Sequence, residues 1–144
     1  MKKIRNDPVL GRLEFDEGLN WYEGKRVAEG QHFSIQVSLD AFDSEDDAIS
    51  TAQSVLPKLV AAIAEAKEFA CDRLLPLKNG EWLNQGEALV SCEAFVAALN
   101  LESIAVYFDG DSEFCFEGGK LFSGHTVLVS WNKAEGFHDA DIAG

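Results

Sequence analysis

The stretch Ser44–Leu75, S-E-D-D-A-I-S-T-A-Q-S-V-L-P-K-L-V-A-A-I-A-E-A-K-E-F-A-C-D-R-L-L, decides how the rest of the chain must fold. Apolar or small residues fall at Ile49, Ala52, Leu56, Leu59, Ile63, Ala66 and Ala70, in steps of three and four. That spacing lines one face of an α-helix. Ser44 suits the N-cap, and Asp47 stands three residues on, where a capping partner sits. Glu45, Asp46 and Asp47 meet the positive end of the helix dipole, each worth ~0.3–1 kcal/mol when exposed. Capping and the dipole are thus a sufficient explanation of the acidic head of this segment. Pro57 complicates it, because an interior proline deletes one hydrogen bond and clashes with the preceding turn, at ~3 kcal/mol or more. An unbroken helix of this length would also span ~45 Å, against a radius of gyration of ~15 Å for a domain of this size. A kink or short break at Pro57 is expected.

Upstream, the pattern switches to strands. Val9–Asp16 alternates, with Val9, Leu13 and Phe15 on one side, entered through Asp7-Pro8. Asn20–Val27 is a weaker strand, with Trp21 its expected anchor and Gly24 marking a bulge or turn. In Gln31–Leu39, Phe33, Ile35, Val37 and Leu39 face one way and His32, Ser34, Gln36 and Ser38 the other. Together these three predict an antiparallel meander with one wet face.

Downstream, Asn79-Gly80 reads as a turn or helix stop, after which Trp82 and Leu83 dock back onto the domain. Ser91–Asn100 reads as a short helix capped by Ser91 that buries Phe95, Val96 and Leu99. Ser103–Phe108 and Glu113–Glu117 form a hairpin across Asp109-Gly110. His125–Asn132 is a further strand and Phe137–Ile142 a last edge strand. With no repeats or linkers, the expected organisation is a single globular domain over residues 1–144. Its class is α+β: an antiparallel sheet from N- and C-terminal meanders, with the long Pro-kinked helix and the short helix packed on one face.

Hydrophobic residues make up 47% and charged residues 26%, values that argue against wholesale disorder. No apolar run approaches the ~18 residues of a spanning helix. MKKIRNDPVLGRLEF lacks the apolar run and cleavage site of a signal peptide. Cys71, Cys92 and Cys115 each sit among apolar residues and are expected to be reduced thiols of a cytoplasmic protein. Twenty-five acids against twelve bases give a net charge of −13. Such a surface repels phosphate backbones and anionic membranes, so neither nucleic acid nor membrane is an expected partner. It serves solubility, or the capture of a basic protein partner.

Recognisable catalytic constellations are missing from the sequence. His32 lies on a wet strand side, His125 opens a strand and His138 lies late in the chain, with no H-x-x-x-H, C-x-x-C or H-E-x-x-H spacing. G-x-S-x-G, G-x-x-x-x-G-K-[ST] and G-x-G-x-x-G are likewise missing. Asp109-Gly110-Asp111-Ser112-Glu113 lacks calcium-loop spacing and reads as a hairpin turn. No catalytic set, metal or cofactor is therefore expected. The candidate binding residues are His125, Asp109 and Trp82.

The second half of the chain carries a resemblance. Leu77-Lys78-Asn79-Gly80-Glu81-Trp82, Leu101 to Tyr107 with Asp109-Gly110, Leu121-Phe122-Ser123-Gly124-His125 and Asp141-Ile142-Ala143-Gly144 resemble a bacterial family, catalogued as domain of unknown function 2262. Leu10-Gly11-Arg12-Leu13 followed by Trp21 is similar too, and Ser123 departs from the bulky aromatic the family often has there. The resemblance implies a bacterial, cytoplasmic setting and no activity. The leading functional expectation is a non-enzymatic binding or interaction module. The alternatives are an acidic immunity-type protein that neutralises a basic toxin, and a small hydrolase or metal-dependent enzyme centred on His125 with Asp109 or Asp111.

Overall fold

The computed structural model describes residues 3–143. Eight strands follow one another across a single sheet in chain order: β1 (Ile4–Asp7), β2 (Gly11–Asp16), β3 (Trp21–Ala28), β4 (Gln31–Ser38), β5 (Asn100–Val106), β6 (Ser112–Glu117), β7 (Thr126–Asn132) and β8 (Gly136–Ala143). All neighbours are antiparallel except β4 and β5, which run parallel. The two expected meanders are therefore joined side by side. The chain between them forms α1 (Glu45–Ala61), α2 (Ile63–Glu81) and α3 (Cys92–Ala98), as a parallel joint demands.

The helical face read from the sequence is the buried one: Ile49, Ala52, Leu56, Leu59, Ile63, Ala66 and Ala70 all lie in the core. Ser44 caps α1 by accepting the Asp47 N–H at 3.1 Å. The expected division of the segment falls at Ala62 rather than at Pro57, which lies inside α1. Pro57 is exposed, so the hydrogen bond it deletes is missing on the solvent side. At Ala62 (φ −106°, ψ 15°) the N–H turns back to the Leu59 carbonyl at 3.0 Å. The chain redirects there: α1 packs over β4 and β5, whereas α2 packs over β7 and β8.

Asn79-Gly80 does not stop α2, which continues through Pro76 to Glu81. The Lys78 side chain is fully buried and donates to the Trp82 carbonyl at 2.8 Å and to Glu87 at 2.9 Å. It thereby occupies a carbonyl that the helix end leaves open. Asn79 clamps the returning loop, donating to the Val90 carbonyl at 3.0 Å and accepting the Val90 N–H at 2.8 Å. Ser91 caps α3 as expected, through the Ala94 N–H at 3.1 Å, and Phe95 and Leu99 are buried.

At the N-terminal end, Asp7-Pro8 does not enter a strand but turns the chain between β1 and β2. The Asp7 carboxylate accepts the Val9 N–H at 2.9 Å, the Leu10 N–H at 2.8 Å and the Gln53 amide of α1 at 2.6 Å. Val9 is consequently an exposed turn residue, and Leu10 takes the core position. In β3 the core residue is Tyr22, opposite Val37, while Trp21 points to the other face. Gly24 sits in an unbroken β3–β4 ladder, not at a bulge. A Cβ there would meet Leu13 Cδ2 at 2.9 Å and the Arg12 carbonyl oxygen at 3.0 Å. Since that oxygen belongs to backbone, Gly24→Ala is expected to destabilise by roughly 1–3 kcal/mol in denaturant unfolding, the usual cost of overpacking.

The reading of three reduced thiols is corrected. Cys71 of α2 and Cys92 at the start of α3 form a disulfide, with Cα atoms 5.9 Å apart, and Cys115 alone is a free thiol among the described residues. An odd cysteine count never forbade one pair, and packing of α3 on α2 brings these two together. Closing a loop with a sequence separation of 21 is worth about 3 kcal/mol by chain entropy. Adding a thiol reductant, or making Cys92→Ser, should lower the unfolding free energy by about that amount.

Candidate functional site

Both long helices cover one face of the sheet, α3 packs on α2, and the other face carries no helix among the described residues. Strand register shows which side chains the open face presents. One row runs Glu14, Glu23, Gln36, Ala105, Glu113, Ser130, Asp139 across β2 to β8, each residue the direct partner of the next. At ~4.8 Å per strand it spans roughly 29 Å. The adjacent row runs Lys25, Ser34, Ser103, Cys115, Leu128, Asp141. At the centre, on β4 to β6, Ser34, Ser103, Ala105 and Cys115 form a floor of small side chains.

Three cavities open along this face. One of about 320 Å³ is lined by Arg12, Glu14, Asp16, Glu23 and Lys25 with Phe15 and Gly24. A second, of about 430 Å³, lies where Lys25, Val27, His32 and Ser34 meet Leu101 and Glu102. The third, of about 200 Å³, is lined by Tyr107, Asp111, Glu113, Ser130, Trp131 and His138. A bulge in the β7–β8 pairing between Ser130 and Trp131 sets the local register beside His138.

The residues singled out from the sequence fall elsewhere. Trp82 and His125 are brought together, their rings 5.5 Å apart and nearly perpendicular, with Phe122 5.6 Å from Trp82. His125 is half-buried, and its N–H closes a turn onto the Phe122 carbonyl at 3.0 Å. Asp109 is far from this pair. It sits in the single 3₁₀ turn Phe108–Gly110 that precedes β6, whereas His125 precedes β7 beside the other end of β6. About 20 Å of strand separates them. Asp109 (φ 61°) and Gly110 (φ 83°) supply the left-handed pair that this tight connection needs.

Over residues 7–142 the sequence matches the family described as an uncharacterized protein conserved in bacteria (DUF2262). The chain belongs to that family. No curated protein and no solved structure shows significant similarity to it. The DUF2262 match covers every strand but the start of β1 and the end of β8, so both the open face and the Trp82–His125 contact belong to the family domain.

Electrostatics distinguish the centre of the open face in this DUF2262 chain. Burial pushes the Glu113 carboxyl above its ordinary value of 4.5. Burial also raises the Tyr107 phenol, helped by the charges of Glu113 and Cys115. The Cys115 thiol is raised by burial first and by Glu102 second, so it is a poor nucleophile at neutral pH. Contrast Glu45 on the helix side, where Lys3 at 2.6 Å and Arg5 at 2.7 Å overcome the burial and hold the carboxyl below its ordinary value. No Lys or Arg forms an ion pair with Glu113 among the described residues. Alternation in β6 was a signal that could have exposed Glu113 and Cys115 as outward-facing. What it could not show is that β5 and β7 would half-bury them.

The sign of the pH effect follows. A carboxyl raised in the folded state favours folding fully below its unfolded pKa, and that contribution is lost as pH rises through the folded value. Glu113→Gln should therefore raise stability at pH 7, with the gain vanishing by about pH 4, near the ordinary carboxyl value. Urea unfolding of both forms at the two pH values checks this.

Proposed function

We propose that this protein is a non-enzymatic binding module that takes a basic protein partner on the open face of its sheet. The observation that carries this is the row from Glu14 to Asp139. Its four carboxylates (Glu14, Glu23, Glu113, Asp139) lie over about 29 Å. Within it Glu113 is half-buried, and an arriving ammonium or guanidinium would relieve the cost of its desolvation. Electrostatic complementarity of this kind raises the rate of encounter more than the final affinity. An immunity-type role against a basic toxin is the specific form of the same reading. Nucleic acid and anionic membrane are unsuited to the same carboxylates, and no helix is long and apolar enough to cross a membrane.

A hydrolase centred on His125 and Asp109 is not supported by the geometry, because β6 holds the two residues at opposite ends. No set of three or more His, Cys, Asp or Glu among the described residues is placed to share a metal ion.

The test is affinity capture from the native cell with three baits: the wild type, an open-face charge reversal (Asp139→Lys with Asp141→Lys), and a helix-face reversal (Glu65→Lys with Glu68→Lys). A basic protein retained by the first and third and lost from the second, with retention falling as salt rises, supports the reading. Equal retention by all three, or an acidic partner, overturns it.

A further inference from the structure

β8 ends the sheet: among the described residues it pairs with β7 alone. The opposite edge, β1, has only four residues and is tied to α1 through Arg5 and Glu45. β8 has eight, with neither lysine nor proline, the residues that usually blunt an exposed edge. The Ile142 N–H donates to the Asp141 carboxylate at 2.8 Å, which marks Ile142 and Val127 as a non-hydrogen-bonded pair of the ladder. Such pairs recur every second residue, so Ala140 opposite Val129 is another. The backbone N–H and C=O of Ala140 and Ile142 therefore point away from β7, toward the free edge.

The side chains of this edge alternate in chemistry as well as in direction. Asp139 and Asp141 are exposed on the open face, whereas Ala140 and Ile142 lie on the helix side. Both apolar residues pack against the core yet stay only partly buried. An incoming strand would cover their outer side and meet carboxylates on its other face. A second copy of β8 is a poor occupant. Antiparallel pairing centred on Ala140 would set Asp139 against the copy's Asp141, and pairing centred on Asp141 would set that carboxylate against itself. Like charges directly opposite one another destabilise a strand pair.

We infer that β8 accepts an extended segment of the basic partner as an added strand, with Lys or Arg opposite Asp139 and Asp141 and apolar residues opposite Ala140 and Ile142. The inference rests on the partner reading for the partner's charge and adds how that partner is held. Main-chain hydrogen bonds to the outward groups of Ala140 and Ile142 supply affinity, and the alternating side chains supply specificity. A carbonyl of the added strand takes over the Ile142 N–H, which frees the Asp141 carboxylate to meet the arriving cation. The same two aspartates thus admit a basic strand and turn away a second copy of β8.

NMR titration of the ¹⁵N-labelled full chain with a capped heptapeptide alternating lysine and valine tests the edge. Saturable shifts should centre on residues 136–143, and amide exchange of Ala140 should slow up to about tenfold when roughly nine-tenths of the chain is bound. The same peptide N-methylated at its valines keeps its charge but loses the strand-forming donors. It should bind at least about tenfold more weakly. A glutamate–valine heptapeptide should not bind, because it repeats the like-charge clash. Ala140→Pro removes an outward N–H without touching the β7 ladder, and should weaken the lysine peptide by about tenfold or more. The inference is overturned by no saturable shift at about 2 mM lysine peptide, by shifts that map elsewhere, by unchanged Ala140 exchange at saturation, or by indifference to N-methylation. Ala140→Pro as a fourth bait in the capture experiment separates the two readings. A basic partner that this bait retains and the aspartate reversal loses overturns the edge and leaves the partner reading standing. An acidic partner, with the lysine peptide bound as expected, overturns the partner reading and leaves the edge site.

Discussion

β4 and β5 run parallel, so the chain that leaves the top of β4 must return the length of the sheet before β5 can begin. Residues 39–99 make that return, and most of them are helical. A crossover of this kind has to lie on a face of the sheet, and its apolar stripe has to be buried against that face. All of the helical mass is thereby committed to one side. The open face follows directly from the parallel joint, since two meanders paired antiparallel could have been linked by a short turn.

The two faces solve their electrostatics differently. On the helix side, carboxylates find cations or backbone donors: Glu45 at the head of α1 meets Lys3 and Arg5, and Asp7 at the end of β1 meets two backbone N–H groups and Gln53. These contacts tie β1 to α1 and hold both carboxyls below their ordinary values, despite partial burial. Across the sheet, Glu113 is desolvated without a cation, and Lys25 donates to Ser34 Oγ rather than to a carboxylate. Folding alone does not require either arrangement. The carboxylate row on the uncovered face, with Glu113 half-buried within it, is what the partner reading rests on.

The end of α2 is the other place where polar groups carry structure. Burying Lys78 would be costly without partners, and its ammonium donates to a helix-end carbonyl and to Glu87. Asn79 spends its side chain on the loop rather than on stopping the helix. With the Cys71–Cys92 link, these contacts fix residues 82–92 against α2. Trp82 is thereby set against Phe122 and His125.

Much of the fold was legible in the sequence because periodicity reports burial. The stripe from Ile49 to Ala70, the alternation from Phe33 to Val37, the Asp109-Gly110 turn and the Ser91 cap each depend on residues near one another in the chain, and the structure has them all. Where local chemistry was used for something distant, the sequence misled. Asp7 turns β1 into β2 while reaching Gln53 of α1, Gly24 makes room for Leu13, and Asn79 holds Val90 instead of ending a helix. The candidate site was the least legible part. His125 and Trp82 do meet, but Asp109 lies at the far end of β6. The rows of the open face join residues from seven strands, through a register that only pairing sets. By itself the sequence determined the class, the helical layer and the acidic balance, since these are sums over local choices. Only the tertiary structure decided which face stays open and which charges on it lack partners, because that depends on the parallel joint between β4 and β5.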